Sequence, residues 1–186
     1  METIYQRVGI FVDVQNMYHS AKHLYGRNVN FGAILQDMVG RRQLIRAIAY
    51  VVRAEGPKEQ AFFEALEKNG YELKVKDIQI FAGGAKKADW DVGLAVDAMT
   101  IAKHCDVVVL VSGDGDFTPL VSYLQNTEGC IVEVAAFGRS CSSRLIEWTD
   151  KFMDIESNVD RYLLDKGSGP DPIADDSTDG ENQKSA

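Results

Sequence analysis

The sequence predicts a three-layer α/β domain: a central, mainly parallel sheet flanked by helices. Two short, continuously apolar runs rich in β-branched residues, 8–12 (VGIFV) and 107–111 (VVVLV), have the composition of strands covered on both faces. Strand-like runs alternate with segments of helical periodicity, the signature of βα units. The 186 residues, 45% of them apolar, suffice for one domain with a real core.

Taken in order, the first strand is 8–12, followed by short helices over 16–24 and 31–39. The run 45–52 (IRAIAYVV) reads as a second strand. Residues 57–69 form a helix bounded by the usual signals, with Pro57 near its start and Gly70 just past its end. A weaker extended stretch covers 71–81. From 90 to 104, Val92, Leu94, Ala95, Ala98, Met99 and Ala102 recur at helical spacing. After the strand 107–111, Thr118 can cap a helix that has Pro119 at its first position and runs to about residue 126. A strand at 131–137 (IVEVAAF) and a short helix at 142–148 follow. These elements place the folded domain at 1–157, ahead of an acidic C-terminal segment, 158–186. From about residue 166 that segment is rich in Gly, Pro, Ser and Asp, and its composition predicts disorder.

The formal net charge is -8, of which five acids and two lysines from Lys166 onward supply -3. Such a chain does not hold nucleic acid by bulk positive charge, but a carboxylate cluster is acidic only until its cations are counted. Cys105, Cys130 and Cys141 match no disulfide framework or zinc spacing and read as buried, reduced thiols of a cytoplasmic protein. The first residues lack the pattern of a signal peptide, and no apolar run approaches the roughly 20 residues that cross a bilayer. No membrane association is expected.

The chemistry lies in the acids. Asp13 directly follows the first strand, in FVDVQN; Asp114 and Asp116 follow another, in VLVSGDGDF. In a parallel sheet all C-terminal strand ends share one edge, where ligands bind at the reversal of strand order. Gly113 and Gly115 let the chain turn sharply beside the pair. Asp91 opens the helix of KKADWDVGLAVDAM, where a carboxylate is favoured in the first turn, and Asp89 is available to cap that helix. Asp97, six positions further on, ranks behind these. A lone Asp after a strand is usually a turn former or cap; several on one edge repel unless a cation sits between them. The matching ions are Mg²⁺ or Mn²⁺, with water and substrate phosphate completing the shell.

Around this set, Asn16 could bind phosphate or a water, or cap its helix, and Ser112 could donate to a phosphate or simply finish its strand. Lys86 and Lys87, after Gly83-Gly84, suit a loop gripping a phosphate backbone. Arg139 and Arg144 flank a Ser/Cys-rich loop on the same edge, although single basic residues are mostly solvated surface. Trp90 and Phe117 are candidate base-stacking rings, against the commoner fate of an inward-facing aromatic. His19 and His23 share a helix face, with nothing adjacent to complete a metal site. No P-loop, dinucleotide fingerprint or Ser/Cys nucleophile motif is present.

The succession FVDVQN, KADWDVGLAVDAM, VVLVSGDGDF and a strand ending in Phe137-Gly138 resembles the bacterial LabA-like group of NYN domains over roughly residues 5–156. The resemblance implies a PIN-like fold with an acidic pocket, and a metal-dependent ribonuclease; single-stranded RNA is the substrate expected of it. It carries the family's acidic positions onto Asp13, Asp91, Asp114 and Asp116, as metal ligands and catalytic residues, with Asn16 as accessory. Asp89-Trp90 stands where the family commonly has a simpler Lys-Gly-Val-Asp form, a departure that bears on Lys86 and Lys87. The alternative function is a regulatory module that binds RNA or a nucleotide without turnover. A small pocket of this kind also admits extension by a second subunit in a homodimer, and the acidic tail is suited to recruit a protein partner.

Overall fold

The computed structural model describes residues 4–53, 59–77, 79–80, 86–87 and 89–168. Six strands form one sheet: β1 (Arg7–Asp13), β2 (Gln43–Arg53), β3 (Glu72–Asp77), and, after a short antiparallel pair β4 (Gln79–Ile80) and β5 (Lys86–Lys87), β6 (Val107–Val111), β7 (Ile131–Ala136) and β8 (Lys151–Asp154). Their order is β3-β2-β1-β6-β7-β8, and every neighbouring pair is parallel. The chain winds outward from β1 in one direction and from β6 in the other, so these two strands flank the switch point.

Both faces of the sheet are covered, which is why the central strands are apolar throughout instead of alternating. On one face Val8, Ile10, Val12, Val109 and Ala49 pack under α1 (Val14–Tyr25), α2 (Phe31–Val39) and α3 (Glu59–Lys68). On the other, Phe11, Ile48, Val108, Leu110 and Val134 pack under α4 (Asp91–Ala102), α5 (Thr118–Asn126) and α6 (Ser143–Trp148). The three-layer α/β reading of the sequence therefore holds.

Several boundaries and elements differ from the sequence reading. The N-terminal bound of the helix expected at 57–69 falls outside the described residues, as does most of the segment from 166 on. Strand β8 was not expected: it is a four-residue edge strand whose residues are at most half-buried, and it carries little apolar signal. The packed chain also runs past 157, through α7 (Val159–Tyr162). Tyr162 and Leu163 are buried in the first core cluster, and Leu163 bridges to Val29. In α4, Val92 faces outward and is 75% exposed, although its spacing fitted the buried stripe. Among the described residues no helix is long and apolar enough to cross a membrane.

Candidate active site

Register brings the acids together. Val12 pairs with Val111, so Asp13 at the end of β1 and Ser112 just after β6 lie side by side at the switch point. The Ser112 hydroxyl donates to Asp13 Oδ2 (3.2 Å), and the Asn16 backbone N–H donates to Asp13 Oδ1 (3.1 Å). Asp13 is thus the N-cap of α1 and at the same time a carboxylate standing at the switch point, so the capping role does not remove it from this edge.

Asn16 does not cap its helix. Its Oδ1 accepts from the Gly113 N–H (2.9 Å), tying the β1 loop to the β6 loop. Beyond Gly113, the Asp114 N–H donates to Ser112 Oγ (3.2 Å), and Asp114 Oδ1 accepts from the Asp116 N–H (2.9 Å), capping the 3-10 turn Gly115–Phe117. This loop is also held from the far side. The Ser142 N–H donates to the Gly113 carbonyl (3.0 Å), and a Cβ on Gly115 would lie 2.7 Å from Ser142 Oγ. A Cβ on Gly113 would likewise lie 3.1 Å from the Cys141 Cα, so glycine at both positions suits the close approach of the β6 and β7 loops.

Electrostatics identifies the inner members. Burial pushes the Asp13 carboxyl up to about 6, and the neighbouring charges of Asp91 and Asp114 add to the rise. Asp91 reaches this edge from the first turn of α4, where Trp90 is the N-cap and its side chain makes no capping hydrogen bond. Asp116 is exposed in the 3-10 turn and is not among the groups that raise Asp13. Asp97 is engaged elsewhere, accepting from the Tyr50 hydroxyl (2.7 Å) and pairing with Lys74 (2.6 Å).

The outlying candidates fare differently. Arg139 does lie on the loop after β7, but its guanidinium pairs with Glu156 and donates to the Tyr25 hydroxyl (2.8 Å), over whose ring it also sits. Glu156 and Asp154 escaped the sequence reading because β8 did. Asp154 accepts from the Gly138 and Glu156 N–H groups (3.1 and 2.9 Å), so it builds the loop rather than offering a bare acid. Arg144 stacks on Trp148. Lys86 and Lys87 are described only as the strand β5, and their side chains lie outside the described residues. Neither aromatic is a free stacking platform: Phe117 is 3% exposed, and Trp90 donates its indole N–H to the Val51 carbonyl (2.8 Å) with Lys76 over its ring. Burial raises the thiols of Cys105 and Cys141, each to about 11, which is the wrong direction for a nucleophile.

Does this edge suit a divalent cation? Among the described residues no three His, Cys, Asp or Glu side chains form a ready-made cage, and His19 and His23 belong to no such group. What is present is a set of hard oxygen donors around a carboxyl whose charge is opposed by two others. That is compatible with a hard divalent cation held by one or two carboxylates, with water and a phosphate supplying the rest.

Two known proteins are similar to this chain over most of its length. The chain is 26% identical over 175 residues to the Low amplitude and bright protein LabA of Synechococcus elongatus, covering 90% of this chain and 92% of that one. It also resembles the crystal structure of a protein of unknown function from Vibrio parahaemolyticus, with 34% identity and a TM-score of 0.80, covering 88% of this chain and all of that one. The model of the NYN domain, a family of PIN-like nuclease-type fold, matches residues 7–156, from β1 through the loop that follows β8. With that match spanning the whole sheet and every acid described above, the chain belongs to the NYN domain family.

Proposed function

We propose that this protein is a Mg²⁺- or Mn²⁺-dependent ribonuclease that hydrolyses phosphodiester bonds of single-stranded RNA. The observation that carries the reading is Asp13: a carboxyl at the switch point, pushed up to about 6 by burial beside Asp91 and Asp114. Natural folds tolerate such crowding where a ligand relieves it. Family membership supports it, since NYN domains are generally nucleases and such nucleases generally use divalent metals.

In this reading Asp13, Asp91 and Asp114 hold the ion, and Asp116 stands at the outer rim. A bound divalent ion would supply a Lewis acid for the phosphoryl group and make an attacking water more acidic. The chain's own residues do the positioning. Ser112 and the Asn16 N–H fix both oxygens of Asp13, so its carboxylate is aimed before substrate arrives. Asn16 Oδ1 is spent on Gly113, which leaves its amide N–H groups to donate to a phosphate oxygen. Lys86 and Lys87 would contribute cationic contacts to the RNA backbone; Arg139 would do so only by giving up Glu156. No side chain acts as a nucleophile.

The test is cleavage of a labelled single-stranded RNA in Mn²⁺, in Mg²⁺ and in EDTA, with wild type beside Asp114→Asn. Cleavage that needs metal and falls at least about 100-fold in the variant is expected. Metal binding without cleavage in any condition would favour a module that binds RNA or a nucleotide without turnover.

A further inference from the structure

A groove of about 350 Å³ runs between α4 and α5, and two of the acids, Asp91 and Asp116, stand in its wall. Apart from them its lining is apolar: Val92, Ala95 and Met99 come from α4, and Pro119, Leu120 and Tyr123 from α5. Val92 and its neighbour Val96 are 75% and 51% exposed, so an apolar strip extends along α4 beside the groove. The Tyr123 hydroxyl donates to Glu128 (2.8 Å), which fixes the ring as part of the wall.

We infer that this groove is a nucleobase subsite, holding the base of the nucleotide next to the scissile phosphate; the inference rests on the ribonuclease reading above. A nucleotide has two unlike parts. The phosphate belongs with the acids and their cations. The base presents flat faces that gain by leaving water for apolar and aromatic surface. The groove supplies such a surface in direct continuity with the acids, and among the described residues that line it none is a lysine or arginine. A cavity of this size admits one base beside its sugar. The acidic side chains at its wall further exclude a second phosphate unless a cation accompanies it. The groove would therefore select for unpaired nucleotides, whose bases can leave a stack, which gives the single-stranded preference a physical cause.

The experiment is a methyl NMR titration of the wild-type chain in Mg²⁺ with adenosine 5′-monophosphate, uridine 5′-monophosphate and ribose 5-phosphate, following the Met99, Val92 and Leu120 methyl groups. These monoesters are not phosphodiester substrates, so binding is read apart from cleavage. The nucleotides should move the groove methyls and bind about tenfold more tightly than ribose 5-phosphate, as stacking of one base implies. Ala95→Phe fills the groove without changing charge and should abolish that difference. Should Ala95→Phe fail to fold, Val92→Ser at its exposed position should still weaken nucleotide binding severalfold while leaving ribose 5-phosphate binding unchanged. Unmoved methyls overturn the subsite while leaving RNA cleavage to judge the nuclease. Moved methyls with no RNA cleaved keep the subsite and sink the nuclease. Methyl shifts that follow protein concentration instead of nucleotide overturn it in favour of a second copy of the chain.

Discussion

At the scale of single residues, Asp13 shows how a site is paid for in stability. Its carboxyl ordinarily titrates near 3.8 and is pushed up to about 6 here. An acid raised on folding prefers its proton in the folded state. The folded state is therefore favoured below the unfolded value, and the advantage is lost as pH rises through about 6. At pH 8 without cation, the ionised Asp13 costs on the order of 3 kcal/mol. Asp13→Asn removes the charge and keeps an oxygen to accept from Asn16. In EDTA at pH 8 it should be more stable than wild type by up to about 3 kcal/mol, with the gap closing near pH 4. Mg²⁺ should narrow the gap at pH 8 by stabilising wild type alone. Urea denaturation across this pH range checks both expectations. A variant less stable than wild type in EDTA at pH 8 would show that burial and the neighbouring acids do not penalise the ionised carboxylate.

At the scale of elements, the start of α4 decides where Asp91 stands. Trp90 is pinned by its bond to the Val51 carbonyl and lies against Tyr50, with ring centroids 5.4 Å apart. A Cβ on Gly93 would fall 2.6 and 2.9 Å from two atoms of that indole. In an open helix Gly→Ala gains up to about 1 kcal/mol; here the clash should outweigh it, for a net loss of about 1–2 kcal/mol. Gly93→Ala in a Trp148→Phe background should shift the emission of the remaining tryptophan, Trp90, and depress RNA cleavage by displacing Asp91. Unchanged emission together with raised stability would show that the indole yields freely. The same helix marks what was legible in the sequence. Strands β1 and β6 and the acids after them were, because double-sided burial writes a continuous apolar run and a strand end fixes where the next residue stands. The fate of Trp90 was not, since helical spacing cannot say whether an aromatic at the N-cap reaches a carbonyl of β2. Nor could one sequence show Arg139 paired to Glu156, a bond that depends on an edge strand of four half-exposed residues.

At the scale of the molecule, contacts between segments distant in sequence brace the domain around this edge. A buried pair of Arg42 and Glu133, 1% and 5% exposed, joins the turn before β2 to β7. The chain after β8 then returns to the first face. Arg161 pairs with Asp37, to which the Tyr162 hydroxyl also donates (2.8 Å), while the Arg27 guanidinium donates to the carbonyls of Leu163 and Leu164 (3.1 and 2.8 Å). Residues 159–164 thereby cover α2 and the loop after α1, whose other end carries Asp13 and Asn16. Full burial of side chains like Tyr162 and Leu163 contributes roughly 1.5–3 kcal/mol each, set against the entropy of ordering them. A chain ending at Ser157 should therefore be less stable than one ending at Ser168 by about 2–4 kcal/mol. Because α1 is anchored from this side, the shorter chain should also lose RNA cleavage at temperatures where it remains folded. Equal denaturation midpoints for the two chains would show that the C-terminal return adds nothing to the domain. A stability loss with cleavage intact would show that α1 holds Asp13 in place through the sheet alone.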